Sequence, residues 1–101
     1  PPEDSTRVEG LGISLDRLSR GQRSALRLRR GPGVAVQGVE REANAFRAGL
    51  RAGDVILQLN YEDVGASPER LARKLSSLKE GEILSLLIRR DGRQIFMAFP
   101  R

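Results

Sequence analysis

The chain has no histidine, no cysteine and no tryptophan among its 101 residues. Without histidine and cysteine, it cannot form the Ser-His-Asp or Cys-His arrangements of nucleophilic catalysis. A serine–lysine pair would need Lys74 or Lys79, and the nearest serines, Ser76 and Ser77, fall on the same exposed-looking helix. The acidic pairs of the chain have neither the spacing of a calcium loop nor soft ligands nearby. The sequence therefore predicts a chain that is not an enzyme by itself and that needs no metal or cofactor.

Aromatic residues and long apolar runs are also scarce. Aromatics make up 4% of the chain against 39% hydrophobic residues, so the core must be built from leucine, isoleucine, valine and alanine. No apolar run approaches the ~18 residues of a membrane-spanning helix, and the first residues lack the pattern of a signal peptide. A domain taken from a secreted parent would share these features, and the missing cysteines leave the redox compartment open. The length fits one domain with one core.

Positive charge is what the chain has in excess. The net charge is +5, and all but two of its 18 basic residues are arginines. Six of these arginines fall between Arg17 and Arg30, a stretch without an acidic residue. The stretch is either a solvated helix face or a patch for an acidic protein, an anionic lipid or nucleic acid. The four aromatic residues are scattered outside it and offer no stacking platform, which disfavours nucleic acid.

Local signals divide the chain into a short first segment and one domain. Residues 1–7 are polar and begin with two prolines, which is typical of a linker or a cloning remnant, and the domain is expected at residues 8–101. Ser67-Pro68-Glu69 is the clearest helix start, with a capping serine and a proline at the first helical position. Asp91-Gly92 is typical of a two-residue hairpin turn. These signals predict a first strand at about 8–15 that is broken by its glycines, strands at 34–39, 55–59, 83–89 and 94–99, and a brief strand near Val64. They predict helices at 19–28, 43–48 and 67–78.

The order of these elements indicates the fold class. About six short strands and two or three short helices form neither a doubly wound sheet nor a helical bundle. They fit an α+β fold that is mainly β: a small antiparallel sandwich or partly open barrel, capped by the helices.

The segment Gly10-Leu11-Gly12-Ile13 suggests a function for such a sheet. Backbone N–H groups around two glycines can converge on an anion, and the extended apolar stretch that follows can pair with another chain. Together they suggest a module that captures the carboxyl end of a peptide by adding it as a strand to a sheet edge. A lone Gly-Leu-Gly is often only a turn, so this interpretation depends on the rest of the chain.

The most specific pattern of the chain lies at residues 45–60, AFRAGLRAGDVILQLN. With Val64, the helix from Ser67 and residues 86–92, this pattern resembles the core signature of PDZ domains, over about residues 8–99. The basic insertion between Leu15 and Val34 resembles that of PDZ domains attached to bacterial HtrA/DegP (protease Do) serine proteases. The chain ends just after its last strand, which resembles the C-terminal PDZ domain of a parent with two. The resemblance implies the periplasm or cell envelope of a bacterium, and a protease whose catalytic triad lies outside this chain.

The resemblance also implies a ligand site. The amides of the loop Gly10, Leu11, Gly12, Ile13 would bind a terminal carboxylate, and the backbone from Ile13 to Leu15 would pair with the peptide. The peptide side chains would lie between this strand and the helix from Ser67, with apolar residues preferred at the last position and two positions upstream. The groove is expected to be lined by Ile13, Ser14, Leu15, Leu71, Ala72, Leu75 and Leu78, several of which could equally be ordinary core residues.

Two departures from the family pattern and one alternative function stay open. Tyr61 follows Asn60 where the family commonly has glycine, which leaves the type of that turn open. The basic insertion is close to the proposed groove in sequence, so it could cover the groove or redirect which peptides enter. The leading expectation is a module that binds C-terminal or unfolded peptides with apolar ends and so regulates an HtrA-type protease or targets substrates to it. The alternative is a PDZ-like assembly module, which docks neighbouring domains or subunits of the parent protease or of another envelope protein while its groove stays unused.

Overall fold

The structure of the chain, a computed structural model, describes residues 6–8, 10–28 and 32–101. Seven antiparallel strands and three short helices make up this described part, which confirms the α+β, mainly β class with an open sheet. The strands are β1 (Thr6–Val8), β2 (Ile13–Arg17), β3 (Val34–Val39), β4 (Val55–Leu59), β5 (Glu62–Asp63), β6 (Ile83–Arg90) and β7 (Arg93–Pro100). The helices are α1 (Arg20–Ala25), α2 (Asn44–Ala48) and α3 (Pro68–Ser76).

The strands form one sheet in the order β1-β2-β3-β4-β6-β7, with β5 paired to β4. The first strand, expected at about residues 8–15 with a break at its glycines, is divided into two strands, because the chain turns at residues 10–12 and forms β1 and β2 as an antiparallel pair. Thr6 and Arg7, which the sequence assigned to a preceding segment, pair with Leu15 and Ser14. Both edges of β2 are therefore occupied, by β1 on one side and by β3 on the other.

Capping residues set the helix starts as the sequence predicts. The hydroxyl of Ser67 accepts a hydrogen bond from the Arg70 amide at 3.2 Å, and Pro68 opens α3. Ser19 and Gln22 form a reciprocal capping box at the start of α1. Both helices are shorter than predicted: α3 ends at residue 76 and α1 at residue 25.

Two apolar clusters fill the space around the sheet. The larger cluster includes the buried residues of β2, α3 and the inward face of β6. The smaller cluster is where α1 is held, since the flanking residues Leu18, Leu26 and Leu28 pack with Ala35, Val55, Leu57 and Leu87. The described part of the basic insertion therefore packs on a different cluster from the proposed groove. Arg29 and Arg30, which belong to the basic stretch, lie outside the described residues.

The turn after β4 keeps a left-handed backbone although it carries no glycine. Asn60 and Tyr61 have φ angles of 50° and 70°, which bulky residues adopt only at a cost. Two contacts hold the turn: the Asn60 Oδ1 accepts a hydrogen bond from the Ser85 amide at 2.9 Å, and the Tyr61 ring stacks on Phe96 at 5.4 Å. With positive φ angles at both central residues, the turn is of type I′. This is the type that an Asn-Gly sequence favours.

The family signature at residues 45–60 works as a folding motif. Gly49 ends α2 at a φ of 111°, as its predicted position requires. The carboxylate of Asp54 is 2% exposed and accepts a hydrogen bond from the Arg51 amide at 2.8 Å. It also accepts two hydrogen bonds from Arg90, both at 2.7 Å, and these raise the pKa of the Arg90 guanidinium. This ion pair fastens the signature to the end of β6.

Candidate functional site

The loop between β1 and β2 is built around two glycines in left-handed conformations. Gly10 and Gly12 have φ angles of 82° and 67°, and Leu11 between them is 3% exposed. A Cβ on Gly12 would lie 3.0 Å from the Ala43 Cβ and 3.1 Å from a carboxylate oxygen of Glu40, so the loop lies tight against the segment before α2. The Gly12 carbonyl also accepts the Glu40 amide at 2.8 Å. The loop is therefore fixed in shape by both backbone angle and packing.

A cavity of about 220 Å³ lies beside this loop and carries charges of both signs. One wall is the guanidinium of Arg101, which lies 3.3 Å from the Cβ position of Gly10 and whose Nε donates to the Leu75 carbonyl at 3.1 Å. Glu40 and Glu42 line the same cavity. No signal in the sequence points to Arg101, because it follows β7 at the far end of the chain and belongs to no local motif.

The predicted groove residues come together between β2 and α3. Ile13, Leu15, Leu71 and Leu75 have no exposed surface, and Ala72 is 8% exposed. All five belong to the larger apolar cluster, which also holds Leu11. Ser14 lies on β2 and pairs with Arg7 and Gly38. Leu78 lies beyond the end of α3 and lines a different cavity, with Leu59 and Val64.

Strand β1 occupies the space between β2 and α3. It runs antiparallel to β2 and lies against α3. Val8 is 1% exposed and belongs to the same cluster as Leu71 and Leu75. The Val8 carbonyl accepts a hydrogen bond from the Leu11 amide at 3.3 Å, so one loop amide already holds an oxygen of the chain itself. The β2 edge that the sequence assigns to a peptide is paired with β1 in this structure.

The far end of the groove, at the start of α3, is polar and exposed. Glu69 has a lowered pKa, first because its own backbone amide donates to the carboxylate and then because the Ser67 hydroxyl does so. Arg17 at the end of β2 lies 3.8 Å from the same carboxylate. The groove is therefore bridged at this end by an exposed ion pair, of the kind that contributes little to stability.

The described part of the chain has neither a metal-binding cluster nor a membrane-spanning helix. No cluster of three or more acidic side chains in residues 6–8, 10–28 and 32–101 could hold a metal ion. Among the same residues, no helix is both long and apolar enough to cross a membrane. Of the pairs considered for a serine–lysine site, Ser77 donates its hydroxyl to the Lys74 carbonyl at 2.7 Å.

A loop of this shape, followed by a strand that faces a helix across an apolar groove, defines a class of peptide-binding domain. The family model described as PDZ domain matches residues 10–97 of the chain. The chain belongs to the PDZ domain family.

The relatives of the chain specify the type of PDZ domain. A probable periplasmic serine endoprotease, DegP-like, of Pseudomonas fulva (strain 12-X) is 35% identical over 89 residues, which cover 88% of this chain and 18% of the relative. A protein with the same description from Brucella suis biovar 1 (strain 1330) is 30% identical over 83 residues, 82% of this chain and 16% of the relative. The chain thus spans less than a fifth of these periplasmic relatives.

Solved structures show the same likeness. The HtrA-type protease AlgW with a tripeptide superposes with a TM-score of 0.78 at 26% identity, over 88% of this chain and 29% of that one. The HtrA3 PDZ domain bound to the phage-derived ligand FGRWV superposes with a TM-score of 0.68 at 20% identity, over 89% of this chain and 81% of that one, a likeness in fold. The chain is a PDZ domain of the periplasmic HtrA/DegP type, and neighbours of this fold are known with bound peptides.

Proposed function

We propose that this PDZ domain captures C-terminal peptides by strand addition to β2, and that it thereby regulates a longer HtrA-type periplasmic serine protease or targets substrates to it. The observation that supports this most is the rigid loop at Gly10–Gly12, which holds a carbonyl oxygen on the Leu11 amide at the mouth of an apolar groove. The residues proposed to bind the peptide are Gly10, Leu11, Gly12 and Ile13 for the carboxylate, and Ile13, Ser14, Leu15, Leu71, Ala72 and Leu75 for the strand and side chains.

The chemistry of the loop favours a free carboxylate. The amides of Leu11, Gly12 and Ile13 would donate to its oxygens, and hydrogen bonds to a charged group contribute about 1.5–3 kcal/mol each. The guanidinium of Arg101 lies beside the loop and adds a fixed positive charge. The apolar groove would take the last side chain of the peptide, and burial of an aliphatic side chain gains about 1.5–3 kcal/mol before ordering costs. The expected intrinsic affinity for the open groove is on the order of micromolar.

Leu78 is not included in the proposed site, because it lines a cavity other than the groove. The proposed role for the domain, residues 8–101, is binding alone, with peptide-bond cleavage performed by other parts of the longer protein. A proteolysis assay of the isolated chain on unfolded protein checks this point, and cleavage by the chain would contradict it.

A pair of peptides that differ only at the C-terminal group tests the carboxylate assignment. We expect the peptide with a free carboxylate to bind about tenfold or more tightly than its amidated form, by fluorescence anisotropy. Arg101→Gln should weaken the binding of the peptide with a free carboxylate and leave that of the amidated peptide unchanged. The control Arg93→Gln, at the start of β7, should change neither. Equal binding of the two peptides would show that the loop is not the carboxylate site.

A second function, assembly of the longer protein, is favoured by one observation: β1 fills the groove while large apolar side chains are exposed elsewhere. Tyr61, Ile83 and Phe96 are 74%, 63% and 51% exposed. Ile83 and Phe96 lie on the outer face of the β6–β7 hairpin, and Tyr61 stacks on Phe96. If this face docks another subunit, Phe96→Ser in the full-length protease should lower its oligomeric state in analytical ultracentrifugation. An unchanged oligomer would leave peptide capture as the proposed function.

A further inference from the structure

The direction of β1 in the groove is that of a bound peptide. A peptide added to β2 with its carboxylate at the Gly10–Gly12 loop must run antiparallel to β2 and end beside Ile13. Strand β1 does both, since Thr6, Arg7 and Val8 pair with Leu15, Ser14 and Ile13 in turn. Its last residue, Val8, presents a carbonyl to the Leu11 amide, where a terminal carboxylate would lie.

We infer that β1 is an internal ligand, which an incoming peptide must displace and whose sequence reports the peptide that the groove accepts. This inference rests on the proposed function, because it concerns the same loop and groove. It predicts a ligand that ends in Thr-Arg-Val or its close chemical equivalent: an aliphatic last residue, a basic penultimate residue and a β-branched residue before it.

The three side chains of β1 each support one part of this ligand description. Val8 is 1% exposed and shares the apolar cluster of Leu71 and Leu75, so the last position is buried in hydrocarbon. Thr6 lies on the same face as Val8, because alternate residues of a strand point the same way. Arg7 points to the other face and forms an ion pair with Glu40, in the segment before α2. Glu40 is therefore the residue that would select a basic penultimate position.

The short connection between β1 and β2 makes β1 a strong competitor of an added peptide for the groove. Only four residues separate Val8 from Ile13, and such a short tether corresponds to an effective concentration of about millimolar. If β1 binds the groove with a micromolar intrinsic affinity, the form with β1 in the groove would then be about 1,000-fold more populated than the open form. Val8 offers a neutral carbonyl where a peptide offers a carboxylate, which lowers this preference by about 10- to 100-fold. The apparent affinity of a peptide is thus expected to be about 10- to 100-fold below the intrinsic one.

Weakening β1 should therefore strengthen the binding of an added peptide. The probe is the pentapeptide Asp-Ser-Thr-Arg-Val with a free carboxylate, which copies the chain up to Val8. Val8→Ala is expected to bind this probe about tenfold more tightly than the unmodified chain, and Arg7→Glu, which sets two carboxylates against each other, about two- to fivefold more tightly. The control Arg93→Glu makes the same charge change at the start of β7 and should leave the affinity unchanged. Circular dichroism verifies that each variant is folded.

Hydrogen exchange gives a readout that needs no substitution. Saturating the unmodified chain with the probe should speed exchange at residues 6–8 while the amides of β2 stay protected. Faster exchange at residues 6–8 and tighter binding by Val8→Ala or Arg7→Glu would support the inference. Binding with unchanged exchange and equal or weaker affinity in both variants would overturn it and leave the proposed function standing. If the probe and other C-terminal peptides bind neither the unmodified chain nor the variants, both proposals are wrong.

The role of Glu40 has its own test. We compare the probe with a peptide in which the penultimate arginine is replaced by glutamate. The unmodified chain should prefer arginine about two- to fivefold, the range of an exposed ion pair. Glu40→Gln should abolish this preference and Glu40→Lys should reverse it, whereas Glu42→Gln, a carboxylate in the same cavity, should keep it. A preference that Glu40→Lys does not change would refute the assignment.

Discussion

Gly10 and Gly12 allow the packing of the loop between β1 and β2, the proposed carboxylate site, to be tested against an internal control. Both residues have left-handed φ angles, 82° and 67°, so an alanine at either place meets a similar backbone cost of about 1 kcal/mol. They differ in the space around them. A Cβ on Gly10 would meet the end of the flexible Arg101 side chain at 3.3 Å, whereas a Cβ on Gly12 would meet the Ala43 Cβ at 3.0 Å and the Glu40 side chain at 3.1–3.2 Å.

The expected difference follows from these contacts. In Gly10→Ala the guanidinium can shift by a few tenths of an ångström, so the free energy of unfolding should fall by about 1 kcal/mol. In Gly12→Ala the methyl group must push the loop away from the segment before α2, and such overpacking adds about 1–3 kcal/mol. Gly12→Ala should therefore be less stable than Gly10→Ala by about 1–3 kcal/mol.

Urea denaturation followed by circular dichroism measures this difference. With a slope of about 1 kcal/mol per molar urea, the midpoint of Gly12→Ala should lie about 1 M or more below that of Gly10→Ala. The same shift of the loop should weaken peptide binding by the Gly12→Ala variant. The loss should be larger for the peptide with a free carboxylate than for the amidated peptide. If the two variants unfold at the same midpoint, the close packing of Gly12 does not hold the loop and this explanation of its shape is wrong.

Three further predictions concern the framework of the groove. Asp54→Ala should lower the free energy of unfolding by about 3 kcal/mol in urea denaturation, because it removes the carboxylate partner of the partly buried Arg90, which keeps its hydrogen bond to the Gly49 carbonyl; a loss below about 1 kcal/mol would show that the pair is not structural. Ser67→Ala should cost about 1 kcal/mol through the lost cap of α3, and an unchanged urea midpoint would contradict this. Since the pKa of Glu69 is lower in the folded chain than in the unfolded one, its stabilisation is complete above the ordinary glutamate pKa and is lost as the pH falls through the lowered value. The Glu69→Gln variant should lack this loss of unfolding free energy at low pH. Identical pH profiles of stability for the variant and the unmodified chain would refute the prediction.

The features that the sequence predicted are those that depend on residues close together in the chain. The strands β3 and β4 have the predicted ends, because each is an aliphatic run bounded by turn residues. The caps at Ser19 and Ser67 and the hairpin turn at Asp91-Gly92, with φ angles of 49° and 78°, also follow from local chemistry. The same local rules brought the predicted groove residues of β2 and α3 to one apolar cluster, with Leu78 at its margin.

What the sequence could not predict depends on contacts between distant residues. Arg90 and Asp54 are separated by 36 positions, and Arg101 meets the loop at Gly10 across nearly the whole chain. The break of the first strand at its glycines follows from the sequence, but the antiparallel pairing of β1 with β2 does not, because it depends on the packing of Val8 against α3.

The burial of the groove residues would link folding to the proposed peptide binding. Leu71 has no exposed surface, so Leu71→Glu, which the sequence alone would suggest as a binding mutation, would place a charge inside the core and damage the fold as well.

The groove is covered because β1 contributes Val8 to the cluster. A peptide that replaces β1 therefore exchanges one covering strand for another, and its binding stabilises the fold only by the difference between the two. For this reason, a small rise in melting temperature on peptide addition would not indicate weak contacts in the groove. In Val8→Ala, where β1 covers the groove less well, the same peptide at the same concentration should raise the melting temperature further than in the unmodified chain, and an equal or smaller rise would show that β1 and the peptide do not compete.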